Sequence, residues 1–399
     1  MQSSDPGHFF ETDAEQLTRK RRAAKAGNKY GNPIQLKSKI LAAVVDPRAP
    51  SSAIFVAESA GSVRRIDLDT SSTTPTYRGP TAPVCSVAVC PLTLTLYAGS
   101  WDKSIYSWSL TSPSQPSRKY TAHSDFVKAL VCTTLSGRPV LISGGADKKI
   151  IVWDTTTHAR LHTLQDKDHS SAGIMLSLQD LAIDHHASSS PDEIILVSAS
   201  SDPHIRRWRI TLDAWEQLSE PDPATPGSER RTILEHETTV YKLVLGSHDD
   251  DGDDGGEVDL YTSSGDGTAK CLSRLKGFAA DDTFHHGGHV RAVAVTDQWV
   301  VTAGRDEDVK FWDRATGKLH CVLEGHFDEV TELLVLGNAR SRGGSEQRVC
   351  SVGIDGTVRT WPVVRGELDA LAGEQERKRG VGMRMRRKRR RKRRRRVGC

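Results

Sequence analysis

Cysteine pairs, long apolar runs and catalytic signatures are what this chain has least of. Its seven cysteines, an odd number, run from Cys85 to Cys399 with no CxxC pair and no zinc-ribbon spacing. A disulfide framework and a cysteine-based zinc site are therefore not expected, and the thiols read as reduced groups of a cytosolic or nuclear protein. No segment approaches the roughly 18 apolar residues of a membrane helix, and the start MQSSDPGHFFETDAEQL has no positively charged region followed by an apolar run. Secretion and membrane spanning are not expected. G-x-S-x-G, Walker, Rossmann and HExxH patterns are missing from the chain. The run from Asp249 to Asp259 holds six Asp and Glu257, but its glycines miss the sixth place of a calcium loop, so it reads as a solvated acidic loop. His185-His186 and His285-His286 with His289 have no Cys at ligand spacing. No metal and no cofactor are expected.

What is present begins with charge. The formal total of +4 hides an uneven distribution. From Arg377 to Cys399 there are 15 Lys or Arg and no acid, residues 1–36 contribute +2, and the stretch from Lys37 to Glu376 carries a net −13. An acidic body bears one very basic tail. The uninterrupted block from Arg386 to Arg396 includes Arg386, Arg387, Lys388, Arg389, Arg390, Arg391, Lys392 and Arg393. Self-repulsion predicts disorder for this block when free, with nuclear import and non-specific, salt-sensitive RNA or DNA contact as its uses. A second basic cluster, Arg19, Lys20, Arg21 and Arg22, continues to Lys29 and reads as another import signal. It falls on a predicted helix from about Asp13 to Ala26, opened by a Thr12/Glu15 capping box and closed by Gly27.

Aromatics make up only 6% of the chain, yet five of its eight tryptophans fall in one frame. An Asp stands six residues before Trp108, Trp153, Trp208, Trp312 and Trp361, as Asp102, Asp147, Asp202, Asp306 and Asp355. Two weaker copies, Asp266 with Leu272 and Ala60 with Ile66, bring the repeats to seven. Hydroxyl residues recur four positions before the Asp (Ser143, Ser198, Thr262, Thr302, Ser351). Histidines recur four positions ahead of the next apolar strand (His123, His236, His286, His326). A spacing near 40 to 45 residues is that of a four-stranded blade repeated around an axis.

With these motifs the sequence resembles the WD40 β-propeller family over roughly Ile34 to Val364. The resemblance implies an all-β, seven-bladed propeller in which loop His, strand Ser or Thr, turn Asp and Trp form a hydrogen-bonded chain within a blade. Complete tetrads are expected as His123, Ser143, Asp147, Trp153 in the third blade, His286, Thr302, Asp306, Trp312 in the sixth, and His326, Ser351, Asp355, Trp361 in the seventh. They are structural. The register selects His286 and sets His289 aside. The segment from Pro33 to Lys37 is expected to supply the strand missing from the last blade, so that no edge is left open. The chain then divides into an N-terminal extension (1–32), the propeller (33–366) and a helical or disordered Arg-rich tail (367–399). The polar connections DAWEQLSEPDPATPGSERR and LQDKDHSSAGIM are expected to be loops projecting from the rim.

The resemblance also implies partner binding on the face around the central channel. Two positions per blade are expected there: the residue before the turn Asp (Trp101, Ala146, Ser201, Arg305, Ile354) and the one after the first apolar residue of the inner strand (Leu41, Cys85, Lys128, Gln179, Tyr241, Arg291, Thr331). Trp101, Phe126, Lys128, Tyr241, Arg291 and Arg305 are the candidate contact residues, since Trp, Tyr and Arg dominate binding hot spots. The leading reading is a non-enzymatic scaffold in a nuclear or nucleolar complex, with ribosome assembly and chromatin as settings the composition suggests and a cytoplasmic pool compatible with it. One alternative is an adaptor presenting substrates to a ubiquitin ligase or other multi-subunit enzyme. The Trp312-Asp313-Arg314-Ala315 stretch, however, lacks Arg at the place such adaptors carry it. A second is a propeller-type hydrolase.

Overall fold

The computed structural model describes residues 12–111, 118–121, 123–166, 174–225, 227–247, 258–337 and 347–378. The cationic block from Arg386 and most of the acidic run after Asp249 lie outside them.

Seven antiparallel blades follow one another along the described residues, six adding their strands in sequence order from the axis outwards and the last taking its outer strand from the N-terminal segment. A separate two-stranded ladder pairs Glu220–Pro221 with Glu229–Arg230. The innermost strands are Ile40–Val45, Val84–Cys90, Val127–Leu135, Leu178–Ile183, Val240–Ser247, Val290–Val295 and Val330–Leu336. Each contacts the next, and the seventh returns to the first, closing a ring. The core is divided in the same way: seven apolar clusters occupy the seven junctions between neighbouring blades. This explains why the second strands Ala53–Glu58, Ile194–Ser200 and Trp299–Gly304 are buried at every residue. Both faces of a blade meet a neighbour, so such a strand reads as a continuous apolar run rather than an alternating one.

Closure uses the N-terminal segment. Ile34–Gln35 pairs antiparallel with Thr357–Val358 of the last strand, Thr357–Pro362. The Thr360 N–H donates to Gly31 O at 2.8 Å, which extends the pairing past the ladder. Leu36 packs in the junction between the last and first blades with Ile40, Ile54 and Val358. Gly31 sits at φ +70°, where a Cβ would lie 3.0 Å from the Arg359 Cβ, so the chain passes too close for a side chain there. The last strand is followed by a helix over residues 365–378.

Two expectations are corrected. The connection after Asp213 is not only loop: Trp215–Gln217 is the fourth strand of the fourth blade, and Ile233–Leu234 pairs with His204–Ile205. Trp215 lies edge-on to Trp208 at 5.9 Å, and this apolar contact draws a polar stretch onto the sheet. The first helix, Asp13–Lys25, has the Thr12/Glu15 capping box but ends on Ala26 in the right-handed conformation rather than on Gly27.

Candidate partner-binding site at the channel mouth

The blade tetrads come first because they fix the turns that frame the site. In the third blade His123 Nδ1 lies 2.9 Å from Asp147 Oδ1 and its Nε2 2.8 Å from Ser143 Oγ, which also accepts from Trp153 Nε1 at 3.0 Å. In the sixth, His286 bridges Thr302 and Asp306 at 2.8 Å each, and Trp312 Nε1 donates to Thr302 at 2.8 Å. The seventh is alike: His326 to Asp355 at 3.0 Å and to Ser351 at 2.7 Å, with Trp361 Nε1 donating to Ser351 at 2.8 Å. The fifth blade keeps His236, Thr262 and Asp266 but has Leu272 where the others have Trp. The fourth substitutes a cation that sequence reasoning missed. Arg206, fully buried, bonds to Asp202, and Trp208 donates to Ser198 at 2.8 Å. His289 is exposed and outside the sixth tetrad.

A Ser–His–Asp relay has the connectivity of a hydrolase triad. Here Ser143 is 0% exposed and its oxygen is already engaged by Trp153, so the relay is closed to solvent.

These relays set an acid response. Burial would raise the Asp306 carboxyl, but His286 and Lys310 outweigh it and bring it down to about 2. Burial lowers His326, with Asp355 only partly opposing. Both groups bind protons more readily unfolded than folded, so each destabilises the fold as pH drops. Stability should be greatest between about pH 7 and 8, decline from about 6.5 as His326 must be buried neutral, and fall further below about 4 as the carboxylates titrate. It should also fall above about 8.5, where thiols such as Cys85 ionise in the unfolded chain but stay protonated in the fold. Urea midpoints measured across this range test it. A His326→Gln variant should reduce the slope between about pH 5 and 7, leaving what His204 and His158, also lowered by burial, contribute. An unchanged slope would remove His326 as a source.

The channel mouth is built by a defect repeated seven times. Every innermost strand has a β-bulge between its first and third residues, at Ile40/Ala42, Val84/Ser86, Val127/Ala129, Leu178/Asp180, Val240/Lys242, Val290/Ala292 and Val330/Glu332. A bulge leaves one residue out of the ladder and re-aims its side chain. The seven skipped residues are Leu41, Cys85, Lys128, Gln179, Tyr241, Arg291 and Thr331, and all of them line one cavity of about 560 Å³ on the axis. Trp101 and Ile354 also border it; Phe126, Ala146, Ser201 and Arg305 do not.

The ring residues differ sharply in how they are held. Arg291 lies over the Tyr241 ring at 4.3 Å and pairs with Glu329 at 3.2 Å. One layer below, Lys242 sits between Asp180 at 3.5 Å and Glu332 at 3.2 Å; burial would lower its pKa, but the two acids raise it. Lys128 has no ion-pair partner among the described residues, and burial, with repulsion from Arg291, lowers its pKa. Cys85 donates to Val127 O at 3.0 Å, and burial pushes its thiol up to about 11, which makes it a poor nucleophile. No histidine lines the channel among the described residues, and no group of three His, Cys, Asp or Glu there is arranged to hold a metal.

At the rim, Trp101 of the second blade stacks on Phe126 of the third, centroids 5.1 Å apart and planes 15° from parallel. They remain 41% and 37% exposed. The turn after Arg305 is occupied differently. Glu307, 1% exposed, accepts from Arg21 at 2.6 Å and Lys25 at 2.9 Å, while Arg22 pairs with Asp328 at 2.6 Å. The N-terminal helix is thus tied to the sixth and seventh blades by three of its cations. Arg305 is exposed beside this contact.

A larger cavity of about 1120 Å³ lies between the N-terminal segment and the 365–378 helix. Four of its charged lining residues pair with each other, Arg348 with Asp69 at 2.6 Å and Lys378 with Glu374 at 2.6 Å.

Comparison with known proteins agrees with this geometry. The family model for the WD40 repeat (WD domain, G-beta repeat) matches residues 71–109, 114–154 and 282–313. An uncharacterized WD repeat-containing protein of Schizosaccharomyces pombe is 27% identical over 371 residues, 90% of each chain. The nuclear distribution protein nudF of Aspergillus niger is 25% identical over 299 residues, covering 71% of this chain and 60% of its own. Among solved structures, the WD40 β-propeller domain of Doa1 superposes with a TM-score of 0.61 at 20% identity, covering 85% of this chain and 98% of that one. Three stretches of the chain match the WD40 repeat model, and its seven blades close into a β-propeller.

Proposed function

We propose that the protein is a non-enzymatic interaction scaffold of a nuclear or nucleolar complex, and that it binds a protein partner on the face around the channel mouth. The observation that carries this reading is the bulge ring crowned by the exposed Trp101–Phe126 stack. Large aromatics left half in water beside a lined cavity are the features of a contact hot spot. The basic ends have separate tasks. Arg21 and Arg22 are engaged by the propeller, so import and nucleic-acid contact fall chiefly to the Arg386–Arg396 block, whose charge density suits both.

The alternatives find less support. In the adaptor reading, Arg314 lies against the Tyr261 ring at 5.6 Å and Ala315 occupies the critical place. In the hydrolase reading, the Ser–His–Asp relays are sealed inside blades.

Affinity purification of the full chain beside Trp101→Ala, with nuclease treatment, tests the face. A nuclease-resistant partner should be lost from the variant while its unfolding midpoint stays unchanged; an unaltered partner set sinks the proposal. Tagged protein ending at Glu376 should lose nuclear accumulation if the tail directs import.

A further inference from the structure

Six of the seven turns that carry the Asp position place the next residue in the left-handed region. They are Gly61, Lys103, Lys148, Gly267, Glu307 and Gly356, with φ between +65° and +89°. Glycine adopts this conformation freely, whereas a residue with a Cβ pays about 1 kcal/mol. Three turns nevertheless carry long charged side chains. Glu307 is accounted for, since it holds Arg21 and Lys25. Lys103 and Lys148 have no ion-pair partner among the described residues, and both are exposed. Lys103 shares its turn with Trp101, and the turn of Lys148 is bonded to the Phe126 carbonyl through the Ala146 N–H at 2.8 Å. The two lysines therefore flank the aromatic stack, with Lys128 beside it in the channel mouth.

The acids of the same turns are committed elsewhere. Asp102 accepts from Tyr106 Oη at 2.8 Å, Asp147 from the Ser124 amide at 2.9 Å besides its contact with His123, and Asp125 from the Phe126 amide at 2.8 Å. Asp102, Asp125 and Asp147 keep their charge but are held by these hydrogen bonds of their own turns. Around the apolar stack stand the exposed ammonium groups of Lys103 and Lys148 and the half-buried one of Lys128, none ion-paired among the described residues, on a body whose net charge is −13.

We infer that this patch recognises an acidic segment of a partner protein, an apolar side chain resting on Trp101 and Phe126 and a carboxylate entering the channel mouth towards Lys128. The inference rests on the reading of the channel face as the partner site. A peptide suits the geometry better than a nucleic acid. Lys128 lies within the bulge ring, where one protruding side chain can reach it but a phosphodiester backbone cannot follow. The two rings face each other, so neither offers both faces for base stacking.

The test pans a random dodecapeptide phage library on the immobilised full chain and on the full chain carrying K103E, K128E and K148E. Both proteins keep the Arg-rich tail, so its indiscriminate attraction cancels. Peptides enriched on the parent alone should hold Asp or Glu near an aromatic or large aliphatic residue. A synthetic copy, followed by fluorescence anisotropy, should bind about tenfold or more weakly to K128E and to Trp101→Ala. Replacing its acids by Lys should abolish binding. Circular dichroism melts confirm that the variants are folded. Enrichment of neutral peptides that still require Trp101 would overturn the charge preference and leave the face as a partner site. Failure to enrich any peptide that distinguishes the two proteins, or binding indifferent to Trp101, would overturn both. Poly(U) RNA that loses affinity for the triple variant, with acidic peptides unaffected, would replace the peptide by nucleic acid and overturn the inference.

Discussion

A chain beginning at Ser38 should fail to form the stable ring, with soluble yield and the cooperative unfolding transition both lost. Removal of residues 1–37 takes away Ile34 and Gln35 from the last blade, and Leu36 from the junction that seals the last blade against the first. It also strips a buried cation. Arg359 is 1% exposed; its guanidinium donates to Asn28 Oδ1 at 3.0 Å and to the Tyr30 carbonyl, and burial lowers it to about 10. A buried charge deprived of its partners costs about 3–5 kcal/mol, a large share of the roughly 5–15 kcal/mol that holds a domain together. The exposed strand edge is then free to pair with other chains. A chain beginning at Gly27 provides the contrast. It lacks only the helix, whose Arg21 and Arg22 are about half exposed. Buried Glu307 loses two cations, so the unfolding midpoint should fall, but by less than in the Ser38 form, because the closing strand and the partners of Arg359 remain. Equal stability of the Ser38 form and the full chain in urea titration would refute the closure argument.

Replacement of Trp361 by Ala should cost about 3–5 kcal/mol, read from the urea unfolding midpoint. The ring is 1% exposed, and its indole N–H is a donor to Ser351, the oxygen that also bonds His326. Loss of Trp361 therefore leaves a cavity beside Val330, Leu333 and Val349 and removes one bond from a buried relay. Trp361→Phe fills most of the space and loses the N–H, so it should cost less, about 1–3 kcal/mol. An Ala variant within about 1 kcal/mol of the parent would show that the junctions collapse around small losses more readily than close packing allows.

Much of this architecture was legible in the chain because it is local. A turn Asp, a hydroxyl four residues earlier and a Trp six residues later share one hairpin, so their spacing is fixed by the strand ladder itself. The bulge positions could be read for the same reason: each lies one residue past the first apolar residue of an inner strand. Arg206 escaped notice because its sequence signal is only a basic residue within an apolar strand, and nothing nearby marks it as the stand-in for an absent histidine.

The sequence alone determined the count of blades, the register of each and the identity of the seven side chains that the bulges release. Which of those side chains are free was decided by the tertiary structure. Arg291 is paired because Glu329 arrives from the next blade, whereas no acid among the described residues pairs with Lys128 in the third. Trp101 meets Phe126 only because the second and third blades are neighbours in the ring. Arg21 meets Glu307 across 286 residues of chain. Such contacts depend on the angle at which closed blades stand beside one another, and no spacing within a single repeat encodes that angle.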